Sequence, residues 1–133
     1  MKREECLQEF KEKFGRWVEV FGLWDHEYYF ALDTDMDDLA SVACNSSAKI
    51  NVVKVNPDLI SKQPRKDEQE IRDTASHECL EVLFDPLYAL ATARSFSEEA
   101  WETEVHRIIH RIQHAYAELQ KEKNRDLLSP EDE

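Results

Sequence analysis

No stretch of the chain comes near the roughly 20 consecutive apolar residues that a membrane-crossing helix needs. Met1-Lys2-Arg3-Glu4-Glu5 leads straight into an amphipathic pattern rather than the hydrophobic segment of a secretory signal. A soluble, cytoplasmic protein with no membrane association is the expectation. Cysteine is scarce. Cys6, Cys44 and Cys79 are an odd number with no C-x-x-C pair, which argues against a disulfide frame and a thiolate zinc knuckle and leaves three buried thiols. Basic residues are outnumbered, 17 Lys and Arg against 29 Asp and Glu, for a formal net charge of -12. Phosphate binding needs a basic face, so nucleic acid is not an expected partner. Internal repeats and low-complexity tracts are also missing.

What is present fits one domain, since 133 residues suffice for a single hydrophobic core but not for two. Residues 1–123 are assigned to that domain, and 124–133, polar and holding Pro130, to a frayed tail. From Glu4 to Phe21, apolar residues at Leu7, Phe10, Phe14, Trp17, Val18 and Phe21 recur at spacings of three and four, which predicts an amphipathic helix stopped by Gly22. His26 to Leu32 suits a strand. Leu39 to Cys44 and Ala48 to Val55 read as two more strands, joined by the turn Asn45-Ser46-Ser47. The last of these is expected to be a sheet edge, its lysines discouraging edge-to-edge pairing. The bend Asp33 to Asp38 opens like a calcium loop. Its sixth position is Asp38 where glycine is needed and its twelfth is Cys44 where glutamate is needed, so it reads as a solvated turn.

After a polar linker that includes Pro64 and Arg65, a helix is predicted from Asp67 to Phe84, ending before Asp85-Pro86, with Ile71, Ala75, Leu80, Val82 and Leu83 buried. Leu87 to Ala93 is a short separate helical piece. Ser97-Glu98-Glu99 then starts a long helix, on which Trp101, Val105, Ile108, Ile109, Ile112, Tyr116 and Leu119 form one stripe. The tryptophans are expected in the core. The fold class is therefore α+β, a small three-stranded sheet packed on an N-terminal, a central and a long C-terminal helix.

The central helix carries the one pattern with chemical meaning, His77-Glu78-Cys79-Leu80-Glu81. Residues four apart share a helix face, so His77 and Glu81 project side by side while Glu78 points to the flank. The string is the H-E-x-x-H zinc motif with its second histidine replaced by glutamate. Zinc accepts a carboxylate oxygen at roughly 2.0 to 2.2 Å, close to its distance from an imidazole nitrogen, so the replacement is compatible with a zinc site that takes a third ligand from elsewhere. His106, His110 and His114 on the last helix are spaced by four. His106 is the first choice, because it flanks the core stripe beside Val105 and restores two histidines and one carboxylate. Glu102 and Glu104 are the alternatives, and His110 and His114 are assigned to the surface.

The order of parts, with H-E-x-x-x on a central helix and a ligand from the closing helix, resembles the zincin-like metallopeptidases of the gluzincin type, in particular their minimal phage and bacterial members. The resemblance spans Trp17 to Leu119, and its specific part is His77-Glu78 and the spacing to the last helix. It implies zinc-assisted hydrolysis of a peptide bond in a peptide or protein substrate, with Glu78 as the catalytic base and His77, Glu81 and His106 on the metal. It also implies an extended substrate paired to an edge strand, for which Ile50 to Val55 is the candidate. Tyr88 and His110 are the candidate oxyanion stabilisers. Two other readings fit the same composition: an acidic, non-catalytic binding protein that meets a basic partner, and a similar domain with a purely structural metal.

Overall fold

Apolar side chains recurring every three or four residues wind the first segment into helix α1 (Arg3–Phe21), which buries Cys6, Phe10, Phe14, Val20 and Phe21. The helix stops where it is expected to. Gly22 adopts φ 67°, a left-handed conformation that glycine takes at little cost; its N–H donates to the Glu19 carbonyl (3.1 Å), and that of Leu23 to the Val18 carbonyl (2.9 Å). Leu23 is thereby turned into the core, where it is fully buried. The computed structural model describes residues 2–60 and 66–128, and within them three helices and one mixed sheet give the α+β architecture expected.

The strands are β1 (Glu27–Leu32), β2 (Ala40–Asn45) and β3 (Ile50–Val55), in the spatial order β1-β3-β2. β3 runs parallel to β1 and antiparallel to β2, pairing with each along its full length. It is the central strand, not the edge. Its alternate residues Asn51, Val53 and Val55 are buried, as befits a strand flanked on both sides and covered on one face, while Val52 and Lys54 face out with Tyr29 of β1. The edges are β1 and β2. Buried Asn51 is satisfied from β1, its amide donating to the Glu27 carbonyl (3.3 Å) and lying 3.1 Å from His26 Nδ1.

Asn56 fixes the loop that precedes β2. Its side-chain amide donates to the carbonyls of Met36 (2.8 Å) and Thr34 (3.4 Å), and its Oδ1 accepts from the N–H of Asp58 (3.2 Å) at the head of a 3-10 turn, Pro57–Leu59. Replacing Asn56 by Ala removes a buried side chain together with these hydrogen bonds and is expected to cost about 1 to 3 kcal/mol, read as a lower urea midpoint.

Helix α2 (Asp67–Ala91) lies against α1 and β2, and Ile71, Ala75, Cys79, Val82 and Leu83 enter the core between them. It begins after Lys66, with Asp67, Glu68 and Glu70 placing negative charge at the positive end of the helix dipole. Pro64 and Arg65 lie outside the described residues. The expected stop before Pro86 does not occur, and the piece from Leu87 on is the end of the same helix. A proline removes one amide from the ladder. In the turn so weakened, the Leu83 carbonyl accepts from Arg107 Nη2 at 2.6 Å, so the closing helix supports the backbone there.

That helix, α3 (Glu98–Leu128), begins with Ser97 Oγ accepting from the N–H of Ala100 (3.2 Å) and continues past residue 123 through five residues assigned to the tail. It is tied to α1 as well: Arg111 donates to the Gly22 carbonyl, His114 Nδ1 lies 2.9 Å from the Val20 carbonyl, and Arg16 pairs with Glu122. Its apolar stripe is not buried as a whole. Ile108 and Ala115 are buried, whereas Ile109, Ile112, Tyr116 and Leu119 face solvent, as do Leu80 on α2 and Trp24. Cys6 and Cys79 are buried free thiols and Cys44 is half-buried. Among the described residues, no helix is long and apolar enough to cross a membrane.

Candidate metal centre

On α2 the core-facing residues Ile71, Ala75 and Val82 are spaced so that position 78 falls on the same face, and Glu78 is accordingly only 5% exposed. His77 and Glu81 stand beside it on adjacent turns and reach solvent, with side-chain exposures of 68% and 52% and 3.6 Å between His77 Nε2 and Glu81 Oε1. One donor atom from each of the three lies within 4.8 Å of the others. The sequence places Glu78 on the flank, but the structure turns it inward. The spacing 71-75-78-82 was the signal for this, hidden because a glutamate occupies a position otherwise filled by apolar residues.

Burial leaves Glu78 in an uncomfortable state. Its Oε2 is shielded from solvent and has no hydrogen-bond partner. Desolvation, first of all, raises its pKa to about 8, followed by the hydrogen bond to Glu81, the charge of Glu81 and that of Asp38. The group therefore keeps its proton at neutral pH; a cation would let it ionise, because a buried charge without a partner costs several kcal/mol on an order-of-magnitude scale.

The three side chains open into a cleft of about 550 Å³, bounded on the other side by Asp38, Leu39 and the first residues of β2, Ala40 to Val42. β2 is an edge strand, so one side of its backbone borders the cleft without a neighbouring strand among the described residues. One imidazole nitrogen and two carboxylates are donors that divalent cations accept, and the group can hold a metal ion.

The other sequence candidates lie elsewhere. His106 is not part of the group: it is exposed and its Nδ1 lies 2.8 Å from the Glu102 carbonyl of its own helix. The physical reason is the rotation of α3, which aims Arg107, Ile108 and Arg111 inward and leaves position 106 outside that face. Glu102 is exposed, and Glu104 is held by Arg107 at 2.7 Å. Tyr88 and His110 are exposed and do not line the cleft, while His114 is half-buried against α1 and Trp24. Asp38, which the sequence reading left in a solvated turn, contributes to the rim. Only the fold of the loop around Asn56 brings it there.

Comparison with known proteins finds no family model, no curated protein and no solved structure that matches the chain.

Proposed function

We propose that the protein is a zinc-dependent hydrolase of peptide bonds, with His77 and Glu81 holding the ion and Glu78 handling protons. The observation that carries this reading is the buried Glu78 carboxyl, whose Oε2 has no hydrogen-bond partner, beside two exposed metal-binding side chains. Without a cation, buried Glu78 and its exposed neighbours Glu81 and Asp38 repel one another when ionised, and a divalent ion turns that repulsion into attraction. Openness favours chemistry over a structural role, since structural zinc sites are enclosed by four protein ligands whereas catalytic ones keep a position free.

A bound zinc ion would polarise the scissile carbonyl and make a water a better nucleophile. Glu78, next to His77 in the chain and the buried acid of the group, would take the proton from that water and hand it to the departing amine nitrogen. An extended peptide would lie along β2, pairing with its open edge; this replaces β3, which has no free edge to offer. The resemblance of the H-E-x-x-E string to the zincin-like helix points the same way.

Metal content and heat stability test the reading. Protein purified without added metal should carry roughly one zinc per chain. After chelation, zinc at about a hundred times its dissociation constant should restore roughly 2.7 kcal/mol, or about 10 °C in melting temperature, together with cleavage of an unfolded casein substrate. No zinc in the purified protein, and no change in melting on adding it, would end the proposal.

A further inference from the structure

The outer face of α3 is apolar without being part of the core. Ile109, Ile112, Tyr116 and Leu119 are 44%, 48%, 66% and 44% exposed, and half-buried Val105 precedes them on the same stripe. Their spacing alternates four and three residues, the a/d seam of a heptad repeat rather than the wider stripe of a core-facing helix. The helix already has an inward face, made by Arg107, Ile108, Arg111 and Ala115, so the seam is a second surface that nothing in the chain covers among the described residues.

Continuing the alternation outward reaches Glu102 and Glu98 on one side and Lys123 on the other, all exposed. The seam is thus acidic at its start and basic at its end. In a pair of antiparallel copies related by a two-fold axis between positions 109 and 112, Ile109 faces Ile112, Val105 faces Tyr116, and Glu102 faces Leu119. Glu98 of each copy then meets Lys123 of the other. A parallel pair would set Glu98 against Glu98 and Lys123 against Lys123. Glu102 is tolerable opposite leucine, since its aliphatic stem can cover an apolar surface while the carboxylate stays in water.

We infer that the protein forms an antiparallel homodimer through this α3 seam, the occupant of the exposed apolar face being a second copy of the chain. The pairing is self-complementary, as a two-fold interface requires. It spans 98 to 123, about 38 Å at 1.5 Å per residue. The metal cleft is built from α2, β2 and the loop before β2, so association through α3 uses none of its residues.

Sedimentation equilibrium on the full chain tests this. The mass expected at tens of micromolar is twice the 15.7 kDa of one chain. The pair Ile109→Lys and Ile112→Lys should weaken association by more than about 30-fold, the scale of a central hot spot, with an unchanged circular dichroism spectrum because both positions are on the surface. Glu98→Lys alone and Lys123→Glu alone should each weaken it, and combining them should restore it, a rescue that a parallel pair would not show. A mass of one chain at 100 μM or so overturns the inference. So does a dimer indifferent to the two lysines, or one in which the charge exchange fails to rescue.

Discussion

Glu78→Gln is expected to cut zinc-dependent hydrolysis by about 10²- to 10⁴-fold, the range associated with losing a general base, while the ion remains bound. Glutamine keeps the shape of the side chain and loses only the ability to accept and release a proton, and His77 and Glu81 retain their donor atoms. Loss of zinc together with activity would instead make Glu78 a ligand, and unchanged turnover would remove it from the chemistry. The same variant has a second consequence in the metal-free protein. A carboxyl whose pKa is raised to about 8 in the folded state holds a proton that the unfolded chain releases near pH 4.5. Folding is therefore favoured by the group at low pH and progressively less so as pH climbs from about 5 to 8. Glutamine cannot titrate, so chelator-treated Glu78→Gln should escape that decline. Its advantage over the parent at pH 8, compared with pH 5, should be on the order of 2 kcal/mol. Urea melts at the two pH values measure it, and parallel losses in both proteins would show that Glu78 is not the responsible group.

The elements were legible because local patterns carried them. The three- and four-residue spacing of Leu7, Phe10, Phe14, Trp17 and Phe21 specifies α1, Gly22 its end, and alternation through Asn51, Val53 and Val55 a strand with one buried face. Strand order was not legible, since a chain-order reading gives β3 no neighbour after β2, whereas tertiary pairing brings β1 to its other side. The end of α2 was misjudged for a similar reason: the Arg107 contact that supports the backbone near Pro86 comes from a distant helix. In the candidate site, His77 and Glu81 follow from the helical period alone. His106 failed because the apolar residues of α3 read as one stripe in the sequence, and their spacing does not say which edge of it faces the core. The structure buries the one through Ile108 and Ala115, which turns position 106 outward.

Phe14→Ala should be the most damaging single change to the fold, costing about 3 to 5 kcal/mol. The ring is fully buried and joins the helix layer to the sheet. It stacks near Phe10 (6.2 Å between centroids) and meets Tyr28 and Phe30 edge-on at 5.3 and 5.4 Å. Truncation therefore removes the transfer energy of a whole ring and leaves a void between α1 and β1. It also breaks aromatic contacts worth roughly 0.5 to 1.5 kcal/mol each beyond area. A domain of this size has about 5 to 15 kcal/mol in total, so the variant should melt far below the parent and expose Trp17, whose fluorescence reports the packing of α1. Because α2 rests on α1, loosening that seat should also weaken zinc binding, even though no donor atom is touched. A loss under about 1 kcal/mol would mean that the neighbouring rings collapse into the space. The aromatic cluster would then not be what holds the sheet against the helices.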